Sequence, residues 1–180
     1  MAYLPYVDLA DLADLKHTNA QPLVQRIVAE RGSVLHLYQM LLHSPNLAEG
    51  WLGFMTAVRQ KLDLPGALRE LVIMRVALLN GAPYEAQQHE PIALKEGVTP
   101  AQLAALPQWA ASDAFSALER AVLQLCDTMT QHVQVPRATL LAVQQHLGDK
   151  QTVELVATVA SYNMVSRFLE ALHIHGDDAR

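Results

Sequence analysis

The sequence predicts an all-α protein, and three observations carry that prediction. Apolar residues recur at three- and four-residue intervals in one segment after another, which places them on single helix faces. The segments are opened by Ser-Pro and Thr-Pro pairs and stopped by glycines, the usual chemistry of helix starts and ends. No segment shows sustained strand alternation bounded by hairpin turns.

Taken in order, residues 1–15 hold Pro5 and three aspartates without clear periodicity and read as an irregular N-terminal arm. A helix over Pro22 to Arg31 stops at Gly32, and Ser33 can cap the next, where Val34, Leu37, Tyr38, Leu41 and Leu42 share a face. Ser44-Pro45 opens a third, with a hydroxyl cap ahead of a proline placed where no amide hydrogen is needed; Leu47, Trp51, Phe54, Met55 and Val58 form its stripe. Asp63-Leu64-Pro65 opens a helix apolar almost all round, from Leu68 through Leu79, which predicts a central position. It ends at Asn80-Gly81, and Pro83 starts a further helix to Gly97 in which Pro91 removes one backbone bond and should cause a kink. Thr99-Pro100-Ala101-Gln102 is a capping-box pattern for a short helix ending near Pro107. Ser112 precedes a longer one carrying Leu118, Val122, Leu125, Cys126 and Met129. Two more helices are expected, from about Arg137 to Leu147, stopping at Gly148, and from about Lys150 to Leu172. Glu70-Leu71-Val72 and Glu154-Leu155-Val156 are a faint internal echo.

Length and composition bound the function. At 180 residues the chain is expected to be a single helical domain over 1–180, long enough to bury a core. Half its residues are apolar and 17% are charged, so it should fold compactly and present some apolar face to a homo-oligomeric partner. A net charge of -5, with scattered Lys and Arg, gives no footprint for nucleic acid. No apolar run is long enough to span a membrane, and no secretion signal is visible, so a cytoplasmic location is expected. The single cysteine, Cys126, is in phase with Val122, Leu125 and Met129 and reads as a small core residue.

The candidate chemistry lies on two helices. Glu70 emerges from an apolar stripe of Ala67, Ile73 and Met74, a costly placement unless the carboxylate is paired or used. Arg75 is framed by Leu71, Val72, Leu78 and Leu79; it is either half of a structural ion pair or a substrate clamp. Glu85 and His89, four apart, share a helix face, where the carboxylate can orient the imidazole and make it a proton shuttle; an exposed Glu–His pair of no consequence fits the spacing too. Tyr84 beside this pair, and Asn163 in the last helix, are further candidates for substrate binding, although Asn163 and Arg167 can equally bridge helices. Two carboxylates and an imidazole can ligate a metal, but di-iron bundles place Glu and His three apart, so no metal is expected. His173 and His175 fall in a polar tail ending Gly176-Asp177-Asp178 and read as a solvated terminus.

Leu64-Pro65, Arg69-Glu70-Leu71-Val72-Ile73, Asn80-Gly81, Tyr84-Glu85, His89 and Ala93-Leu94-Lys95-Glu96-Gly97, in that order, resemble the core motif of the carboxymuconolactone decarboxylase and alkylhydroperoxidase D superfamily. Leu41-Leu42-His43-Ser44-Pro45 and Tyr162-Asn163-Met164-Val165-Ser166-Arg167 extend the likeness to about residues 30–172. The resemblance implies a compact AhpD-like multi-helix fold assembled as a dimer, trimer or hexamer. In the peroxidase branch two cysteines lie three apart, with a histidine four after the second and a glutamate twelve before the first. Here His89 and Glu70 match, while the cysteine positions hold Ala82 and Glu85. Thiol peroxidase chemistry needs a thiolate and a resolving partner, which neither residue replaces. The decarboxylase branch implies cofactor-free acid–base chemistry on a small organic acid or lactone, with His89, Glu85 and Glu70 as catalytic groups. An antioxidant protein of the peroxidase branch using Cys126 alone, and a non-catalytic binding or assembly protein on the same fold, are the alternatives.

Overall fold

The computed structural model describes residues 1–9 and 20–176. The last part of the expected N-terminal arm, residues 10–15, and the Asp177-Asp178 end of the polar tail lie outside these residues. Among the described residues, eight α-helices and one 3-10 helix follow in order: α1 (Ala20–Arg31), α2 (His36–Leu41), α3 (Pro45–Gln60), α4 (Gly66–Asn80), α5 (Pro83–Glu96), α6 (Pro100–Ala105), the 3-10 helix (Leu106–Ala111), α7 (Ala117–Gln131) and α8 (Arg137–Leu172). No strand occurs among the described residues.

The chain divides into two compact units, one comprising Met1–Lys61 with Ala171–Arg180 and the other Leu62–Glu170. In the first, Ile27, Tyr38, Leu41, Leu42, Ala48, Leu52 and Met55 are buried. Its C-terminal segment is packed, not solvated. Ile174 is fully buried, His173 stacks on Tyr3 at 5.0 Å, and His36 Nδ1 lies 2.8 Å from the His175 carbonyl.

In the second unit α4 is central, as its all-round apolarity predicts. Leu71, Val72, Ile73, Val76 and Ala77 are at most 1% exposed. Around it Leu71, Ala93, Val98, Leu106, Trp109, Phe115 and Leu123 form one cluster. Gly81 ends α4 in the left-handed conformation at φ 62°, a geometry that costs other L-residues a Cβ clash. Pro83 then starts α5 at once, so α4 and α5 form a tight antiparallel pair.

Several boundaries differ from those read in the sequence. Ser44 occupies the N-cap of α3 but makes no side-chain cap bond. The cap of α7 is Ser116, in a capping box with Glu119, and not Ser112, whose hydroxyl instead accepts from the Ala114 amide at 3.1 Å. Three residues separate these serines, and both precede apolar periodicity, so the sequence signal fits either. The Thr99–Gln102 capping box forms as expected. α5 continues through Pro91, whose ring sits on the exposed side. The two helices expected at the end are parts of α8, interrupted at Gly148 (φ 69°, ψ 179°).

Arg75 resolves its sequence ambiguity by geometry. Its Nε and Nη2 donate to the two oxygens of Asp127 on α7 at 2.6 and 2.8 Å, and Nη1 donates to the Leu106 carbonyl at 3.0 Å. Trp109 Nε1 donates to the same Asp127 carboxylate at 3.0 Å. This bidentate pair locks α4, α7 and the 3-10 helix together. Removing one partner strands a buried charge, so Arg75→Ala should cost about 3–5 kcal/mol in urea unfolding, and the apolar double replacement Arg75→Met/Asp127→Leu should recover most of it. A single-variant loss under about 1 kcal/mol would show that the pair is not structural.

Candidate active site

The α4–α5 hairpin brings the widely spaced Glu70 and His89 together. His89 Nδ1 lies 2.7 Å from Glu70 Oε2, with Glu70 1% and His89 6% exposed. Arg69 Nε donates to the other Glu70 oxygen at 3.0 Å, and Arg69 Nη2 lies 3.5 Å from Glu96 Oε1 at the end of α5. Gly66 makes room for this arrangement, since a Cβ there would strike the Glu96 carboxyl. Burial alone would push the Glu70 carboxyl up, but its bonds to His89 and Arg69 outweigh burial and hold it below the ordinary carboxylate value. Glu70 is therefore ionised and can only accept, which places a hydrogen on His89 Nδ1.

Glu85 behaves oppositely. It is 2% exposed, and its Oε2 is 3.0 Å from the Ser166 hydroxyl on α8. Its Oε1 has no hydrogen-bond partner among the described residues. Burial pushes this carboxyl up to about 8; the Ser166 bond works against the shift and the neighbouring Glu170 charge adds to it. At neutral pH Glu85 is a carboxylic acid. The sequence expectation that Glu85 orients His89 as a carboxylate is corrected: Glu70 holds the ring, and Glu85, one turn back on α5, holds a proton. Tyr162 of α8 closes the group, meeting the His89 ring edge-on at 5.0 Å.

The other expected residues take different places. Tyr84 is buried in the first turn of α5. Asn163 bridges helices: Asn80 Nδ2 donates to its Oδ1 at 3.1 Å, and its own Nδ2 donates to Thr130 Oγ1 at 3.0 Å. Arg167 Nη1 donates to the same Asn163 Oδ1 at 2.6 Å. With Arg75 on Asp127, both polar candidates make protein contacts. Cys126 is fully buried, its Sγ is 3.7 Å from the Val72 carbonyl, and burial pushes its thiol far up, the reverse of a reactive cysteine. Arg69, Ser166 and Tyr162 were missed by sequence reasoning as site residues. Tyr162 and Ser166 stand four apart on one face of α8, a signal that was available. An apolar pocket of about 370 Å³ is lined by Met74, Leu78, Ala82, Pro83, Ala86 and Leu106 among others; Glu70, Glu85 and His89 are not among its lining residues. Met74 is one turn beyond Glu70, and Ala86 is next to Glu85.

Residues 45–128, which contain Glu70, Glu85 and His89, match the model of the carboxymuconolactone decarboxylase family. Bacillus subtilis YdfG, an uncharacterised protein, is 30% identical over 106 residues, 58% of this chain and 72% of the relative. The chain belongs to the carboxymuconolactone decarboxylase family. Its fold is that of AhpD-like proteins. A peroxidase-related protein with an AhpD core from Ralstonia eutropha JMP134 superposes with a TM-score of 0.81 at 18% identity, covering 98% of this chain and 93% of that one. The debrominase Bmp8, as the C82A variant with 2,3,4-tribromopyrrole, superposes with a TM-score of 0.77 at 16% identity, covering 96% and 92%. This family member shares with them the helical frame, and has Ala82 and Glu85 where the resemblance to the peroxidase branch puts cysteines.

The raised Glu85 value has a thermodynamic consequence. Between about 4.5, its unfolded value, and about 8, the folded chain keeps a proton that the unfolded chain has released. Stability must therefore fall as pH rises through that window, by on the order of 1 kcal/mol per pH unit from this group. Glu85→Gln should remove that contribution, so that the difference in urea unfolding free energy, variant minus wild type, grows from pH 5 to pH 8. Parallel curves for the two proteins would place Glu85 in the ionised state.

Proposed function

We propose that the chain is a cofactor-free acid–base enzyme acting on a small organic acid or lactone, by decarboxylation or a closely related proton transfer. The observation that carries this reading is the unlike surroundings of two buried carboxyls, Glu70 bonded to His89 and Arg69, which favours its anion, and Glu85 with a single hydroxyl partner, which favours its acid. Pairs of carboxyls driven apart in this way divide acid and base roles between them.

In the decarboxylation the substrate carboxylate loses carbon dioxide, and the bonding pair passes into the conjugated lactone carbonyl. The Glu85 O–H then delivers its proton to the carbon that lost the carboxylate, and the Glu85 carboxylate recovers a proton from solvent. His89, held by Glu70, takes up a proton on Nε2 and as the imidazolium donates its Nε2–H to the developing enolate, where a charged hydrogen bond is most valuable. The apolar pocket beside Ala82 supports a small, largely hydrocarbon substrate body. Exposed Leu78, Leu94 and Met164 fit a homo-oligomer, and the buried thiol suits the reducing cytoplasm. No described helix is long and apolar enough to cross a membrane.

The direct test is carbon dioxide release from unsaturated lactone acids. His89→Ala should lower turnover by about 10²–10⁴-fold, the usual worth of a positioned acid–base group. Unchanged turnover in that variant would remove His89 from the mechanism. Because Glu85 must be protonated to act, kcat should fall as pH rises through about 8; a rate that climbs through that range would give the donor's role to another group.

A further inference from the structure

Tyr162, Ser166 and Glu170 stand at four-residue spacing on α8 and so form one row along it. The row runs antiparallel to α5: Tyr162 meets His89, and Ser166, one turn on, meets Glu85, one turn back. Ser166 is fully buried, and its Oγ is 3.0 Å from Glu85 Oε2 and 3.0 Å from the Tyr162 backbone carbonyl.

A hydroxyl has a single hydrogen. If it points to the Tyr162 carbonyl, the Ser166 oxygen can only accept from Glu85, which must then be the acid. If it points to Glu85, Oε2 accepts, as it does once the carboxyl is ionised, and the Tyr162 carbonyl gives up its side-chain donor. Both inventories use the same heavy-atom positions and differ by the Glu85 proton and the rotation of one O–H bond. Ser166 supplies the one side-chain hydrogen bond of Glu85 among the described residues. The charged groups around it favour the acid: Glu170 in the α8 row raises its value, and His89, one turn along α5, is bonded to Glu70 of α4.

We propose that Ser166 is a positioning residue for Glu85, its hydroxyl hydrogen bonding the Tyr162 carbonyl while Glu85 is an acid and swinging to Glu85 Oε2 once Glu85 has released its proton. The proton moves from Glu85 to the substrate carbon, and only the Ser166 O–H direction changes. Glu85 Oε2 is then never without a partner, so a buried acid that would otherwise hold its proton too tightly can give it up and recover it. The use of Glu85 as a donor rests on the proposed function; the hydroxyl switch does not.

The test needs no substrate. Glutamate labelled with carbon-13 at Cδ would be incorporated in the full chain, and the Glu85 resonance assigned by its loss in Glu85→Gln. In the wild type it should titrate near 8. Ser166→Ala, and the nearly isosteric Ser166→Cys with its weak donor, should move the midpoint upward by about one pH unit, because the anion alone loses a charge-assisted bond. A midpoint at or below the wild-type value in either folded variant overturns the proposal. Absence of lyase turnover with the upward shift intact would sink the proposed reaction and leave the switch standing.

Discussion

The structure of the site depends on how a negative charge is kept in a dry place. Glu70 sits in the apolar wall of α4, where an isolated carboxylate would cost many kcal/mol or neutralise itself. Two neighbours prevent that, the His89 imidazole from across the hairpin and the Arg69 guanidinium from its own helix. Everything else about the pair follows from this compensation: the ring's hydrogen is fixed on Nδ1, its plane is fixed by Glu70 and Tyr162, and Glu96 fills the remaining side of Arg69.

Glu85 lies only one turn from His89 yet receives no such compensation. Among the described residues no cation bonds to it, Glu170 opposes it, and a single hydroxyl serves one of its oxygens. The same chemical group is thus an anion in one position and an acid in the next because partners, not burial, differ. The hairpin makes that contrast possible, since Gly81 and Pro83 turn the chain so tightly that both carboxyls share one layer of helices.

Much of this was legible in the sequence, and the gaps have physical reasons. The all-round apolarity of α4, the Asn80-Gly81 stop and the Pro83 start were local signals, so the hairpin was readable. Glu70 and His89 were recognisable because a charge amid apolar residues must have a partner. Which partner was not recognisable: four-residue spacing favoured Glu85 for His89, but the antiparallel packing of α4 and α5 offered Glu70 a shorter path. Arg69 was hidden because adjacent helical residues normally diverge, and here the guanidinium folds back along its own helix. Asp127 and Ser166 lie far along the chain from Arg75 and Glu85, and only tertiary packing pairs them.

The opposite protonation of Glu70 and Glu85 is visible most directly by neutron diffraction from a deuterated crystal at neutral pH. A deuteron on the Glu85 carboxyl, one on His89 Nδ1 and none on Glu70 is the expected pattern. A bare Glu85, or a deuteron on Glu70 in its place, would contradict the division of acid and base between them.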